Sequence, residues 1–195
     1  MAEEESGRTT PPTGPHITPP AAPPIVINID DAPVDHNGEG LWACTGRGLT
    51  PALDALKSRT ARARLGMNVT YLPAGHASCP FHSHALEDEV FYVLSGRGVL
   101  RYGDTVQALR AGDCISCPAG TGIAHQLANP FDTELVYLSV GLNDPNEVCT
   151  YPDSGKLMVR SLQAVGVLRY TPYGEGEEAP RRVFELLADG ALHKP

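Results

Sequence analysis

From residue 65 onward, apolar and polar positions alternate in short runs, each broken by Gly, Pro or Asp. The segments Met67–Leu72, Val90–Leu94, Gly98–Tyr102, Thr105–Leu109, Asp113–Cys117, Gln126–Ala128 and Glu134–Val140 each predict a strand. A period of two turns one face of each run toward a core. Turn signals separate them: Pro73-Ala74-Gly75, Gly96-Arg97-Gly98, Gly103-Asp104 and Ala111-Gly112-Asp113. Short strands at this spacing predict a sandwich or a barrel. Upstream, Ile25–Ile29 and Leu41–Thr45 predict two further strands, and Thr50 and Pro51 predict the N-cap and first position of a short helix reaching Leu56. Downstream, Lys156–Arg160 and Leu162–Leu168 predict edge strands, and Pro180–Ala188 predicts a short helix ended by Gly190.

Four segments follow from this pattern. Residues 1–24 hold seven prolines and a run of glutamates with little to bury, which predicts an extended, disordered arm dispensable for the fold. Residues 25–64 supply strands and a short helix packed on the barrel, 65–142 the barrel itself, and 143–195 a C-terminal extension with edge strands and a short helix. With 195 residues, one well-buried core is the default. The chain is 42% hydrophobic with 20 Gly and 18 Pro, which favours a turn-rich all-β body over a helical bundle.

A formal charge of −8 argues against a nucleic-acid surface, because phosphate binding is driven by Lys and Arg. No apolar run is long enough for a membrane span, and the acidic N-terminus lacks the chemistry of a leader, so a cytoplasmic protein is expected. Five scattered cysteines do not form a disulfide framework. Cys114 and Cys117 have the spacing of a redox or zinc pair, but on a strand they point to opposite faces and read as small apolar residues.

The candidate chemistry lies in two short stretches. His82 and His84 are two apart, so on a strand both imidazoles share a face; Glu89 follows after a turn, and His125 arrives from a distant strand. Three imidazoles and one carboxylate are an adequate ligand set for one divalent metal. The set contains no thiolate, which suits Mn, Fe, Ni, Cu or Zn without selecting among them. Register singles out Glu89 from the acidic cluster Glu87-Asp88-Glu89, leaving the other two as solvated turn residues, and it places Phe91 and Val93 on the face of Glu89 as pocket lining. His16, His36 and His193 read as surface residues, and His76 as a weak candidate for a base near the site.

These stretches resemble the two motifs of the cupin superfamily. The first runs His82, His84, Glu89, Gly96 and the second Gly112, Pro118, Gly120, His125, Asn129. Gly75 precedes His82 by one residue more than the pattern has, and two extra residues separate Gly120 from His125; both departures fall in loops. The segment from Asp144 to Ser154 also resembles small single-domain bacterial cupins. The resemblance implies a cupin double-stranded β-helix, a jelly-roll barrel with short flanking helices. It further implies one divalent transition metal on His82, His84, Glu89 and His125, with Fe or Mn favoured and Zn, Ni or Cu compatible. The implied function is chemistry on a small oxygenated molecule, oxygenase chemistry ahead of isomerase, epimerase, decarboxylase or cyclase chemistry. The alternative from another class is a non-catalytic small-molecule binder. A homodimer is expected, with Ile25–Ile29 and Leu41–Thr45 extending a neighbour's sheet edge.

Overall fold

A computed structural model of the chain describes residues 23–56, 64–177 and 181–190. The strands are β1 (Asp35–Asn37), β2 (Cys44–Gly48), β3 (Arg64–Leu72), β4 (His76–Ala77), β5 (Ser83–His84), β6 (Glu89–Ser95) and β7 (Arg97–Tyr102). They continue with β8 (Thr105–Arg110), β9 (Cys114–Cys117), β10 (His125–Asn129), β11 (Leu135–Asn143), β12 (Val148–Tyr151), β13 (Lys156–Val159) and β14 (Ala164–Val167). Two short helices, α1 (Pro51–Asp54) and α2 (Arg181–Ala188), flank this all-β body.

Three antiparallel sheets result. The first has the order β1-β2-β3-β11-β6-β9, the second β4-β10-β7-β8 and the third β14-β13-β12-β5. Alternation along the strands sets the core. Phe91 and Val93 of β6, Ile115 and Cys117 of β9, and Leu72 and Leu135 of the first sheet meet Leu100, Leu109 and Leu127 of the second. The Cys114–Cys117 pair behaves as its strand parity requires: Cys114 is exposed and Cys117 buried.

The turn from β6 to β7 shows why one residue type is demanded. Gly96 has φ +80°, and a Cβ there would collide with the carbonyl oxygen of Glu134. A side chain at this position would be strained in backbone and blocked in space. Asn129, fully buried at the end of β10, donates to the carbonyls of Leu72 and Thr133 and accepts from the Phe131 N–H, which closes the following turn.

The region before the barrel departs from its sequence pattern. Ile25–Ile29 is not a strand: Ile25 and Val26 are 88% and 87% exposed, and the chain turns into a short 3-10 segment, Ile29–Asp31, with Asn28 accepting from the Asp30 N–H. Arg47 of β2 pins that turn by donating to the carbonyls of Ile29, Asp30 and Ala32. Leu41 and Trp42 belong to a second 3-10 turn and are largely exposed, and the strand begins only at Cys44. Asp35–Asn37, where sequence marked His36 only as a surface residue, is β1, paired with β2. Thr50 precedes α1 but does not cap it through its side chain, since its hydroxyl instead accepts from the Met67 N–H and donates to Asp54. The proposed arm at 1–24 lies outside the described residues except for its last two positions. No described helix is long and apolar enough to cross a membrane.

Candidate metal centre

The two ends of the His82–His84 pair are held by different sheets. His82 exchanges both backbone hydrogen bonds with His125 at the start of β10, at 3.2 and 2.7 Å. One residue later the chain joins the third sheet, where Ser83 and His84 pair with Thr150 and Cys149 of β12. Extended backbone through all three residues keeps both imidazoles on one side, with ring centroids 4.8 Å apart and His125 4.6 Å from His82. Glu89 opens β6, opposite Gly141 on one neighbouring strand and Cys117 on the other. A Cβ at Gly141 would come within 3.3 Å of the Glu89 side chain, so the glycine leaves room for the carboxylate to reach the histidines.

Four donor atoms converge. The Nε2 atoms of His82 and His84 are 3.0 Å apart; Glu89 Oε2 is 3.1 Å from His84 Nε2, 2.9 Å from His125 Nε2 and 4.0 Å from His82 Nε2. All four lie within 4.8 Å of one another. Two ligands about 2.1 Å from one ion at a right angle are separated by roughly 3.0 Å, so the spacing fits a single metal. Ring orientation fits as well. The Nδ1–H of His82 donates to the Pro80 carbonyl at 2.8 Å, which leaves Nε2 with its lone pair toward the cluster. His84 turns Nδ1 toward the Cys149 sulfur at 3.4 Å, Glu147 Oε1 at 3.6 Å and Glu87 Oε2 at 3.7 Å, again freeing Nε2.

Electrostatics follow from this packing. Burial, then the neighbouring His125 and His84, push His82 down to about 4, so it stays neutral. Burial opposes charge on His84, but the contacts with Cys149 and Glu89 outweigh it and raise its value to about 10. Burial likewise opposes the Glu89 charge, and the bonds from His125 and His84 hold its carboxyl well below the usual carboxylate range. Cys79, 3.6 Å from His82 Nδ1, is pushed up to about 11 by burial, so it remains a thiol on the side of the ring turned away from the cluster.

One of the three acidic neighbours, Glu87, behaves differently from its sequence reading. Glu87 is buried, not solvated: it pairs with the Arg160 guanidinium through both oxygens and accepts from the Asp144 N–H. Asp88 is an exposed turn residue that accepts from the Ala119 N–H. Glu147, fully buried just before β12, accepts from the Ala85 and Leu86 N–H groups at 2.8 and 3.0 Å and so ties down the loop between His84 and Glu89. Sequence reasoning missed Glu147 and Cys149, brought to His84 from more than 60 positions away, and Arg160, brought to Glu87 from a similar distance. The only signal was that Glu147 and Cys149 lie in the Asp144–Ser154 segment.

A cavity of about 440 Å³ opens beside the cluster. His82, His84 and Glu89 form one wall, and Thr50, Asn68, Ser139, Asn143 and Arg160 supply polar groups on the others. Phe91 and Val93 do not line it. They sit in the apolar core, the Phe91 ring 5.8 Å from that of His125, because the inward face of β6 turns toward the barrel centre after Glu89. His76 is removed from the centre as well: it pairs with Asn129, at the end of β10 opposite His125, roughly 13 Å away along the strand.

Residues 68–141 match the family model described as the cupin domain. That stretch carries a cupin domain, set within the all-β barrel that its fold neighbours share. A stretch of 69 residues is 35% identical to an oxalate-binding protein of Thermotoga maritima, covering 35% of this chain and 54% of that relative, so the match spans about half the relative's length. Among solved structures, a cupin described as a sugar phosphate isomerase from Silicibacter pomeroyi is 24% identical with a TM-score of 0.62, over 75% of this chain and 94% of that one. A Thermotoga maritima protein described as a predicted oxalate decarboxylase is 23% identical with a TM-score of 0.51, over 60% and 98%. At these identities the solved structures establish the shared cupin barrel and leave the reaction to be argued from the site.

Proposed function

We propose that this cupin is a metal-dependent enzyme acting on a small molecule that carries two adjacent oxygen atoms. The observation that carries this reading is the convergence of three imidazole Nε2 atoms and Glu89 Oε2, with His82, His84 and Glu89 on the wall of a polar cavity of about 440 Å³. His82, His84, His125 and Glu89 would hold one divalent transition ion; their nitrogen and oxygen donors suit Mn, Fe, Ni, Cu or Zn, and the cupin resemblance favours Fe or Mn among them. Such an ion supplies Lewis-acid polarisation of a carbonyl or carboxylate oxygen.

The chain's own residues define the rest. Asn68, Asn143, Ser139 and Thr50 offer donors and acceptors to hydroxyl or carboxylate oxygens, and Arg160 presents a cation at the same cavity. Pro80 and Glu147 hold His82 and His84 in place: one accepts from the ring, the other fixes the loop behind it. The relative named as oxalate-binding and the fold neighbours described as an isomerase and a decarboxylase support a substrate of adjacent oxygens. This lining favours isomerase or lyase chemistry on a hydroxy or keto acid over the oxygenase chemistry expected from sequence. Oxygen uptake decides between them.

The test is titration calorimetry of protein loaded in turn with Fe, Mn, Zn, Ni and Cu against oxalate, a keto acid, a sugar phosphate and acetate. Oxygen consumption is monitored in parallel. A chelating ligand should bind at least tenfold more tightly than acetate, and His84→Ala should abolish the difference. Equal, weak binding of all four to every loaded form would reject the reading.

A further inference from the structure

We propose that the far side of the His84 ring is a second metal site, a zinc ion held by His84 Nδ1, Glu147 Oε1 and Cys149 Sγ. Two chain segments build it. Cys149 of β12 stands directly opposite His84 of β5, which puts the two side chains on the same face of the third sheet. Glu147 lies two residues before Cys149, so it returns a second donor to that side, and burial alternates to match: Glu147 and Cys149 are buried, and Val148 between them is half-buried. His84 thus turns one ring nitrogen to the centre described above and the other to a separate set of donors that the first centre does not use.

The spacing is that of ligands around one ion. The Cys149 sulfur is 3.4 Å from His84 Nδ1, Glu147 Oε1 is 3.6 Å from the same nitrogen, and sulfur and oxygen are 4.0 Å apart. Bonds of about 2.0 Å to nitrogen and oxygen and about 2.3 Å to sulfur, at angles between tetrahedral and trigonal, separate the ligand atoms by roughly 3.3–3.8 Å. Two edges match, and the third closes with a small side-chain adjustment. At 3.6 Å the carboxylate is too far from Nδ1 for a hydrogen bond, so that contact has another use. Three protein ligands leave a fourth position on the ion for a further oxygen, and Glu87 Oε2 stands 3.7 Å from the same nitrogen.

Charge points the same way. Glu147 is fully buried, and among the described residues no Lys or Arg comes within ion-pair distance of it; the Ala85 and Leu86 N–H groups and the imidazole alone face its carboxylate. Its neighbour Glu87 already has Arg160. A buried carboxylate needs a cation, and Oε1 keeps a lone pair for one beyond the pair that accepts from Ala85. When His84 Nε2 holds the first ion, as proposed above, the ring carries no positive charge to offset Glu147. Binding at Nδ1 and sulfur releases the imidazole and thiol protons. Two divalent ions then balance Glu89, Glu147, the Cys149 thiolate and the bridging imidazolate. The second ion would tie β12 to the chain after β5 and hold the His84 ring from behind. Thiolate beside imidazole and carboxylate selects zinc over the harder ions the first centre also accommodates.

The experiment loads the full chain with excess zinc, removes loosely held ion by gel filtration and counts zinc per chain. A parallel loading with cobalt(II) reads the sulfur-to-cobalt charge-transfer band in the near ultraviolet. The first centre contains no thiolate, so the band reports the second site. The expected result is two zinc ions per chain with the band in wild type, and one zinc without the band in Cys149→Ser. The band should persist in His82→Ala, which disturbs only the first centre, and in Cys79→Ser, which removes the thiol beside His82. Glu147→Gln should weaken the second zinc at least tenfold, with near-ultraviolet circular dichroism checking that each variant is folded. A wild type without the band overturns the proposal, and leaves the first centre standing where one zinc is still bound. A band that survives Cys149→Ser overturns it too, as does a Glu147→Gln chain that holds two zinc ions as tightly as wild type. One zinc per chain with a band that Cys149→Ser abolishes supports the second site and rejects the first.

Discussion

Replacing Glu147 with Gln keeps the size of a fully buried side chain while turning one of its two acceptor oxygens into a donor. In the folded chain, Oε1 accepts from the Ala85 N–H at 2.8 Å and Oε2 from the Leu86 N–H at 3.0 Å. An amide can satisfy only one of them. The other N–H then faces an NH₂ group with no water to relieve it, which loses a charge-assisted bond and strands a buried donor. Each of these losses costs about 1–3 kcal/mol, so the variant should be destabilised by roughly 2–5 kcal/mol. For a chain of this length that is a fall in melting temperature of about 5–15 °C. The effect should reach the metal, because Ala85 and Leu86 follow His84 directly and Glu147 Oε1 sits 3.6 Å from its Nδ1. Metal affinity should fall by about 10–100-fold, as for other groups that orient ligating histidines. Thermal melts with and without saturating Mn, together with a competition titration against a chelator, measure both quantities. A Glu147→Gln chain that melts within a degree of wild type and holds metal equally well would refute the reasoning.

Removing an imidazole outright should act more severely: His84→Ala is expected to lose most of its metal by elemental analysis, and full occupancy would exclude His84 as a ligand. Arg160→Met leaves Glu87 buried without its cation; because the guanidinium is partly exposed, the expected cost is about 2–3 kcal/mol by urea denaturation rather than the full buried-pair penalty. At alkaline pH the fold should weaken. Cys79 and Cys117 keep their protons up to about 11 and about 12, against 9.0 for a free thiol. The unfolded chain therefore sheds these protons first, and the stability they confer, complete below about pH 9, is lost as pH rises through the folded values. Urea melts across this range should show the decline, and Cys117→Ala should flatten it. An unchanged slope in that variant would exclude Cys117 as a source.

The barrel strands were legible because a local rule governs them: residues that alternate in sequence alternate across a pleated sheet, wherever the chain goes. The same rule put His82 and His84 on one side, and Glu89 at the head of β6. Where a segment's fate depended on a partner, the rule failed. Ile25–Ile29 has the composition of a strand and no partner strand among the described residues, while Asp35–Asn37 has the composition of a turn and pairs with β2 through all three residues. The hydroxyl of Thr50 had a local use as a helix cap and a distant one at the Met67 N–H, and only packing chose between them.

The site divides along the same line. Sequence alone determined which four side chains could serve as ligands, because donor chemistry and short-range spacing are properties of the residues themselves. Only the tertiary structure decided what surrounds them. Glu87 became a buried partner of Arg160, Glu147 the anchor of the loop behind His84, and Phe91 and Val93 core instead of cavity wall. Each of these outcomes joins residues more than 30 positions apart or turns on which side of a strand the barrel centre lies. Burial and pairing are properties of the closed barrel, and no window along the chain contains them.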